Sequence, residues 1–225
     1  LALISKFELL LKSKRYSHAN EIISKLLKAY PDEHIVLEYK GKVMLGLKKI
    51  REAQTYLEKA HKLSSTCPSC ARSLASCYTS NKRYDDAVRV LKQTLGNGKK
   101  DLGTLRQIFL IYHRQKKTKM ALKYLDRILK IEKDDVGYAY KADIMAILGN
   151  YAKAQSYYKE ALDISYKKKL HDDNCGVIND ISKKFISMTV RRKGNAKGIK
   201  EIETILKKFP RNKDLRKMLN KMKKT

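Results

Sequence analysis

An all-α solenoid, about six helix hairpins followed by a closing helix, is the fold this sequence predicts, and three observations predict it. Its 225 residues are 43% hydrophobic with only three prolines and ten glycines, which suits a sizeable helical core better than sheets. Apolar residues recur at helical spacing on both sides of Leu148-Gly149-Asn150 in the stretch Val136 to Ser165, so that stretch reads as two amphipathic helices joined by a turn. Ala19, Ala53, Ala87, Ala121 and Ala154 then stand 34, 34, 34 and 33 residues apart. A lone hairpin leaves one apolar face wet, so a repeating alanine, short enough to let two helix axes approach to about 8 Å, marks a stacked array.

The columns around each alanine carry the pattern. Three residues before it stand Tyr16, Ile50, Tyr84, Thr118 and Tyr151, and four after it Ile23, Leu57, Leu91, Leu125 and Tyr158. The first unit, about 1–33, would pack Leu3, Phe7, Leu10 and Leu11 against Ala19, Ile22, Ile23 and Leu26 across the turn Lys12-Ser13-Lys14-Arg15. The second, about 34–67, follows the helix stop Pro31-Asp32. The third, about 68–101, starts at Pro68 with Ser65 or Thr66 as the expected N-cap and stops at Gly96-Asn97-Gly98. The fourth, about 102–134, turns at Lys116-Lys117, and the fifth, about 135–168, is the hairpin around Gly149.

After Ser165 the register slips, because Ala154 to Gly198 spans 44 residues and leaves ten extra, read over 166–175 as an insertion or an extension of a helix. A divergent sixth hairpin follows, with Ile178, Ile181, Phe185 and Ile186 before the turn and Gly198, Ile202 and Ile205 after it, closed by Pro210. Leu215, Met218, Leu219 and Met222 make a basic capping helix of the last segment. The domain reading is therefore 1–168 as five units and 169–225 as insertion, hairpin and cap.

These residues resemble the tetratricopeptide repeat family, whose 34-residue helix-turn-helix unit has the same alanine, the tyrosine three before it and a closing proline. The resemblance covers residues 1 to 168, although the chain has no tryptophan and the small residue of the first helix is clear only at Gly41, Ala75 and Ala142. It implies a right-handed α-solenoid whose first helices line a concave groove, and a non-enzymatic scaffold or adaptor that binds another protein there. On that register the groove residues are Tyr39, Lys42, Arg72, Ser73, Ser76, Arg106, Gln107, His113, Arg114 and Tyr140. Cations over small hydroxyls suit carboxylates, so the expected ligand is an acidic peptide or protein surface. The two-carboxylate clamp of the chaperone-binding members is absent, since its positions hold Glu38, Lys42, Ser73, Gly103 and Gln107.

Other chemistry finds little support. Cys67-Pro68-Ser69-Cys70 is a weak metal or redox candidate, as no second such pair exists and only His61 and Cys77 stand nearby. The five histidines show no nucleophile-base spacing, no glycine-rich phosphate loop occurs, and no cofactor is expected. The formal charge of +28 points to acidic partners or, as the alternative, to a lysine-rich solvated surface. A competing reading places RNA or DNA phosphates on the C-terminal third, whose last 60 residues hold 19 Lys and Arg against six Asp and Glu, including Lys167-Lys168-Lys169 and Arg191-Arg192-Lys193. No signal or membrane segment is read, the four cysteines suit reduced thiols, and a cytoplasmic location is expected. The apolar start without Met suggests a piece of a larger protein, such as a bacterial signalling protein.

Overall fold

The computed structural model describes residues 2–96, 100–168 and 176–224, with the side chains of 2–4 left aside. Among them are thirteen α-helices and no strand: α1 Ala2–Lys12, α2 Tyr16–Ala29, α3 His34–Gly46, α4 Ile50–Leu63, α5 Pro68–Ser80, α6 Tyr84–Leu95, α7 Leu102–Arg114, α8 Thr118–Ile131, α9 Asp135–Ile147, α10 Tyr151–Lys168, α11 Gly176–Lys193, α12 Asn195–Lys208 and α13 Lys213–Met222. It is an all-α helical-repeat solenoid of the predicted kind. None of these helices is long and apolar enough to cross a membrane. The chain divides into two compact units, Leu1–Ala121 and Leu122–Thr225, the division falling within α8.

In the first unit consecutive helices pack as hairpins because the alanine column lets them. Ala19, Ala53, Ala87 and Ala121 are fully buried, as are Ile23, Leu57 and Leu91 four residues beyond the first three. Helices α3 and α4 approach closely, since Gly41 leaves just enough room for Leu57: a Cβ at Gly41 would sit 2.6 Å from Leu57 Cδ2 and closer still to its Cγ. The column three before the alanine is only half-buried, because it opens each second helix beside the hairpin turn; there the Tyr16 ring lies against Gly46 of the next hairpin. In α1, Phe7 and Leu10 are buried as expected while Leu9 is 67% exposed.

Four hairpin turns share one bond pattern. At the first, Arg15 N–H reaches Leu10 O at 2.8 Å and Lys14 N–H reaches Leu11 O at 3.1 Å, and the same pair recurs at Lys48-Lys49, Lys82-Arg83 and Lys116-Lys117. This is the Schellman arrangement, which needs a left-handed residue and usually takes glycine. Here lysine fills it at Lys14, Lys48, Lys82 and Lys116, with φ between 56° and 62°.

The second unit builds its core the same way, with Ala154, Ala161 and Tyr158 of α10 buried beside Tyr138, Ala142 and Met145 of α9. Gly149, φ 77°, occupies the turn position that lysine holds elsewhere. Further along, α11 buries Ile178, Ile181, Phe185 and Ile186, and α12 buries Gly198, Ile202 and Ile205. Asn212 caps α13, accepting from Leu215 N–H at 3.0 Å and donating to Asn179 Oδ1 at 2.7 Å.

Several sequence expectations fall differently. The cap of α5 is Cys67 rather than Ser65 or Thr66, because Pro68 takes the first helical position and its predecessor must be the cap. Gly96 ends α6 with φ 54° but ψ −166°, an extended left-handed form rather than the helical one. The rest of that expected stop, Asn97 and Gly98, lies outside the described residues, as do the side chain of Leu3, Lys169 and residues 170–175 of the expected insertion.

Candidate partner-binding face

The predicted groove residues sit on the first helices of successive hairpins, and in the first unit these are α3, α5 and α7. Contact between α3 and α5 is organised by a carboxylate. Glu38 of α3 is only 3% exposed, accepts from Ser69 Oγ at 2.6 Å and Ser73 Oγ at 2.8 Å, and pairs with Lys42 Nζ at 2.5 Å one turn along its own helix. Burial pushes the Glu38 carboxyl up, yet the bonds from Lys42, Ser69 and Ser73 together with the Lys42 charge outweigh it, and the group titrates below its ordinary value. Lys42 and Ser73 are thus committed to a buried anion.

Contact between α5 and α7 follows the same logic. Arg72 donates to Asp101 Oδ2 at 2.8 Å, and Asp101 also caps α7 by accepting from Thr104 N–H at 2.7 Å. Burial raises the Asp101 carboxyl, and Thr104 and Arg72 more than reverse it, leaving its pKa lowered. Gln107 Nε2 bridges back to Arg72 O at 3.0 Å and Ser76 Oγ at 2.9 Å. Two of the predicted groove cations, Lys42 and Arg72, therefore have their charge balanced from within the protein, a correction to the expectation of four available ones. Arg106 and Arg114 are both exposed on α7.

Beside them lies a cleft of about 280 Å³ lined by Ser76, Thr79 and Ser80 of α5 and by Gln107, Leu110, Ile111 and Arg114 of α7. Leu110 is 48% exposed and forms an apolar floor with Ile111. The three hydroxyls each donate to the carbonyl four residues back, at 3.0 Å for Ser76, 2.7 Å for Thr79 and 3.0 Å for Ser80. Their protons are spent in the helix, so what they offer a ligand is acceptor oxygen. Arg114 has no ion pair among the described residues, and its guanidinium is the donor at the rim.

The other predicted residues are placed as follows. Tyr39 is half-buried between α1 and α3, its ring 4.9 Å from Phe7 and its hydroxyl donating to Glu8 Oε1 at 3.1 Å. His113 stacks on Phe109 at 5.7 Å between centroids. Tyr140 belongs to the second unit, where it lines a cleft of about 190 Å³ with Val136, Asp143, Val177 and Lys184, Lys184 and Asp143 being paired at 2.6 Å. Glu38 and Asp101, the anions that organise the first-unit face, were missed as such. A usable signal existed: their cross-helix partners stand 29 to 35 residues away, about one repeat length.

Cys67 and Cys70 lie at the start of α5, where Cys67 Sγ accepts the Cys70 N–H at 3.4 Å. Burial pushes the Cys70 thiol up, helped by Cys67 and Glu38. Among the described residues, the side chain that joins them is His34 at the start of α3, not the expected spares His61 or Cys77.

Comparison with known proteins adds the family. The model for anaphase-promoting complex, cyclosome, subunit 3 matches residues 9–94, and a tetratricopeptide repeat model matches residues 138–168. No curated protein matches. Among solved structures, Pseudomonas aeruginosa PilF aligns with TM-score 0.71 at 14% identity over 98% of this chain and 96% of its own. A thermophilic tetratricopeptide repeat protein of Thermus thermophilus aligns with TM-score 0.61 at 18% identity, covering 84% and 98%. MamA from Desulfovibrio magneticus RS-1 aligns with TM-score 0.63 at 11% identity, covering 75% and 96%. At these identities the structural likeness speaks to the fold.

Proposed function

The chain is a tetratricopeptide repeat protein, a family whose repeats generally serve as scaffolds for protein–protein contact, and we propose that it is a non-catalytic adaptor binding an acidic, partly apolar peptide across α5 and α7. One observation carries the reading: the cleft of about 280 Å³ combines an apolar floor at Leu110, acceptor oxygens at Ser76, Thr79 and Ser80, and the guanidinium of Arg114. An extended peptide matches this set chemically. Its backbone N–H groups meet the hydroxyl oxygens, an apolar side chain covers Leu110, and a carboxylate pairs with Arg114. Family membership supports protein binding as the kind of work, and the charge of +28 supports an acidic partner.

Arg114→Glu tests this more cleanly than reversal at Arg72, which would also break the contact with Asp101. A charge-assisted bond is worth about 1.5–3 kcal/mol, so the substitution should weaken an acidic peptide carrying Leu or Ile roughly tenfold or more. Fluorescence anisotropy at physiological salt reads this directly, with thermal unfolding as the control for folding. Equal affinity in the variant would move the site elsewhere. Tight binding of an oligonucleotide instead, lost on charge removal at Lys167, Lys168 and Arg191 to Lys193, would replace the adaptor reading with phosphate contact.

A further inference from the structure

We propose that His34, Cys67 and Cys70 form a zinc site joining the starts of α3 and α5. A ring nitrogen of His34 and the two sulfurs lie within 4.8 Å of one another. Tetrahedral zinc with Zn–S near 2.3 Å and Zn–N near 2.0 Å separates its ligand atoms by about 3.5–3.8 Å. The three atoms therefore need to close by roughly 1 Å, the scale of a side-chain torsion adjustment.

The backbone favours this arrangement. Pro68 at the first position of α5 holds the chain where the cap Cys67 and the helical Cys70 fall on the same side, their sulfurs turned to α3. His34 opens α3, and Glu33 Oε1 stands 3.2 Å from its Nδ1. A carboxylate on the imidazole is the outer support that orients ligating histidines and raises their basicity. Two thiolates with one imidazole make a borderline-soft donor set suited to zinc over magnesium or calcium.

Access and contrast add to the case. Cys67 and His34 are half-buried, which gives an ion a way in, while Cys70 is held against Leu37 and Ala60. Cys77 shows what an ordinary cysteine of this helix looks like: buried, directed at Ile50 O, and outside the cluster. Glu38 Oε2 accepts from Cys70 Sγ at 3.6 Å, but Glu38 is not among the side chains whose ligand atoms all lie within 4.8 Å of one another. The fourth position accordingly falls to water. Both thiols bind as thiolates and release their protons to solvent. None of this depends on the partner-binding reading, since the ligands stand apart from the α5 and α7 cleft residues.

The full chain, reduced and stripped of metal, is titrated with Co²⁺ and then Zn²⁺. The expected result is a thiolate-to-cobalt charge-transfer band that saturates at one equivalent, bleaches as zinc displaces cobalt, and is accompanied by a rise in Tm with zinc. Cys67→Ser should abolish band and Tm rise together while the helix stays folded by circular dichroism, because serine keeps the cap. His34→Ala should do the same, and Cys77→Ser should change neither. Absence of the band in the unsubstituted chain, or its survival in both Cys67→Ser and His34→Ala, would overturn the site.

Discussion

Gly41→Ala should destabilise the α3/α4 hairpin, and should do so only while Leu57 is present. Helix propensity alone favours the change by about 1 kcal/mol. Against this, the new Cβ would stand 2.6 Å from Leu57 Cδ2 and 3.2 Å from Cδ1, with Cγ nearer than either, where relaxed carbon contacts are about 3.5–4.0 Å apart. Leu57 is fully buried, so it cannot step aside without moving its own neighbours. Overpacking of this kind costs about 1–3 kcal/mol, which leaves a net loss of up to about 2 kcal/mol. Leu57→Ala by itself should cost about 2–5 kcal/mol through the cavity it opens. In that background the sign reverses: Gly41→Ala meets no clash, recovers the propensity and fills part of the void. Urea denaturation of the four proteins gives the cycle, and amide exchange along α3 and α4 localises it, which matters because a repeat array need not unfold in one step. Effects that add to within about 0.5 kcal/mol, or a gain from Gly41→Ala in the unsubstituted chain, would refute the close-contact account of the hairpin.

Lys82→Gly should stabilise the chain by about 0.5–1 kcal/mol, because relief of the left-handed φ of 60° outweighs the cost in unfolded-state entropy and in the cation lost from the helix end; a lower urea midpoint would contradict the strain argument. Acid should weaken the packing of α3, α5 and α7. The pKa values of Glu38 and Asp101 are lowered by folding, so below about pH 4 the unfolded chain binds more protons and their contribution to stability disappears as pH falls through the folded values. Glu38→Gln should flatten that part of the profile, and a urea midpoint unchanged from pH 6 to pH 3 would sink the idea.

How much of this could be read from residues alone depends on the direction in which they act. Contacts within a hairpin are local and apolar, and the period of Ala19, Ala53, Ala87, Ala121 and Ala154 shows them directly; all five are fully buried. Contacts between neighbouring first helices are polar and come about one repeat length apart. Arg72 therefore looked like an open cation until Asp101 was seen against it, whereas Glu38 stands one turn from Lys42 on the same helix, a pairing that local spacing already offered. His34 escaped for the same reason: it is 33 residues before Cys67, outside any local metal motif, yet one repeat length away is where a solenoid puts its lateral neighbour.

The lysines at φ near +60° have one more implication, for how the first unit tolerates its surplus of positive charge. Each of Lys14, Lys48, Lys82 and Lys116 follows the carbonyl end of a helix, whose partial negative charge favours an ammonium group. Glycine would relax the backbone there but would leave that end unneutralised. Salt should then act on these corners in two opposing ways, screening the attraction of each ammonium for its helix end and the repulsion among like charges across the surface.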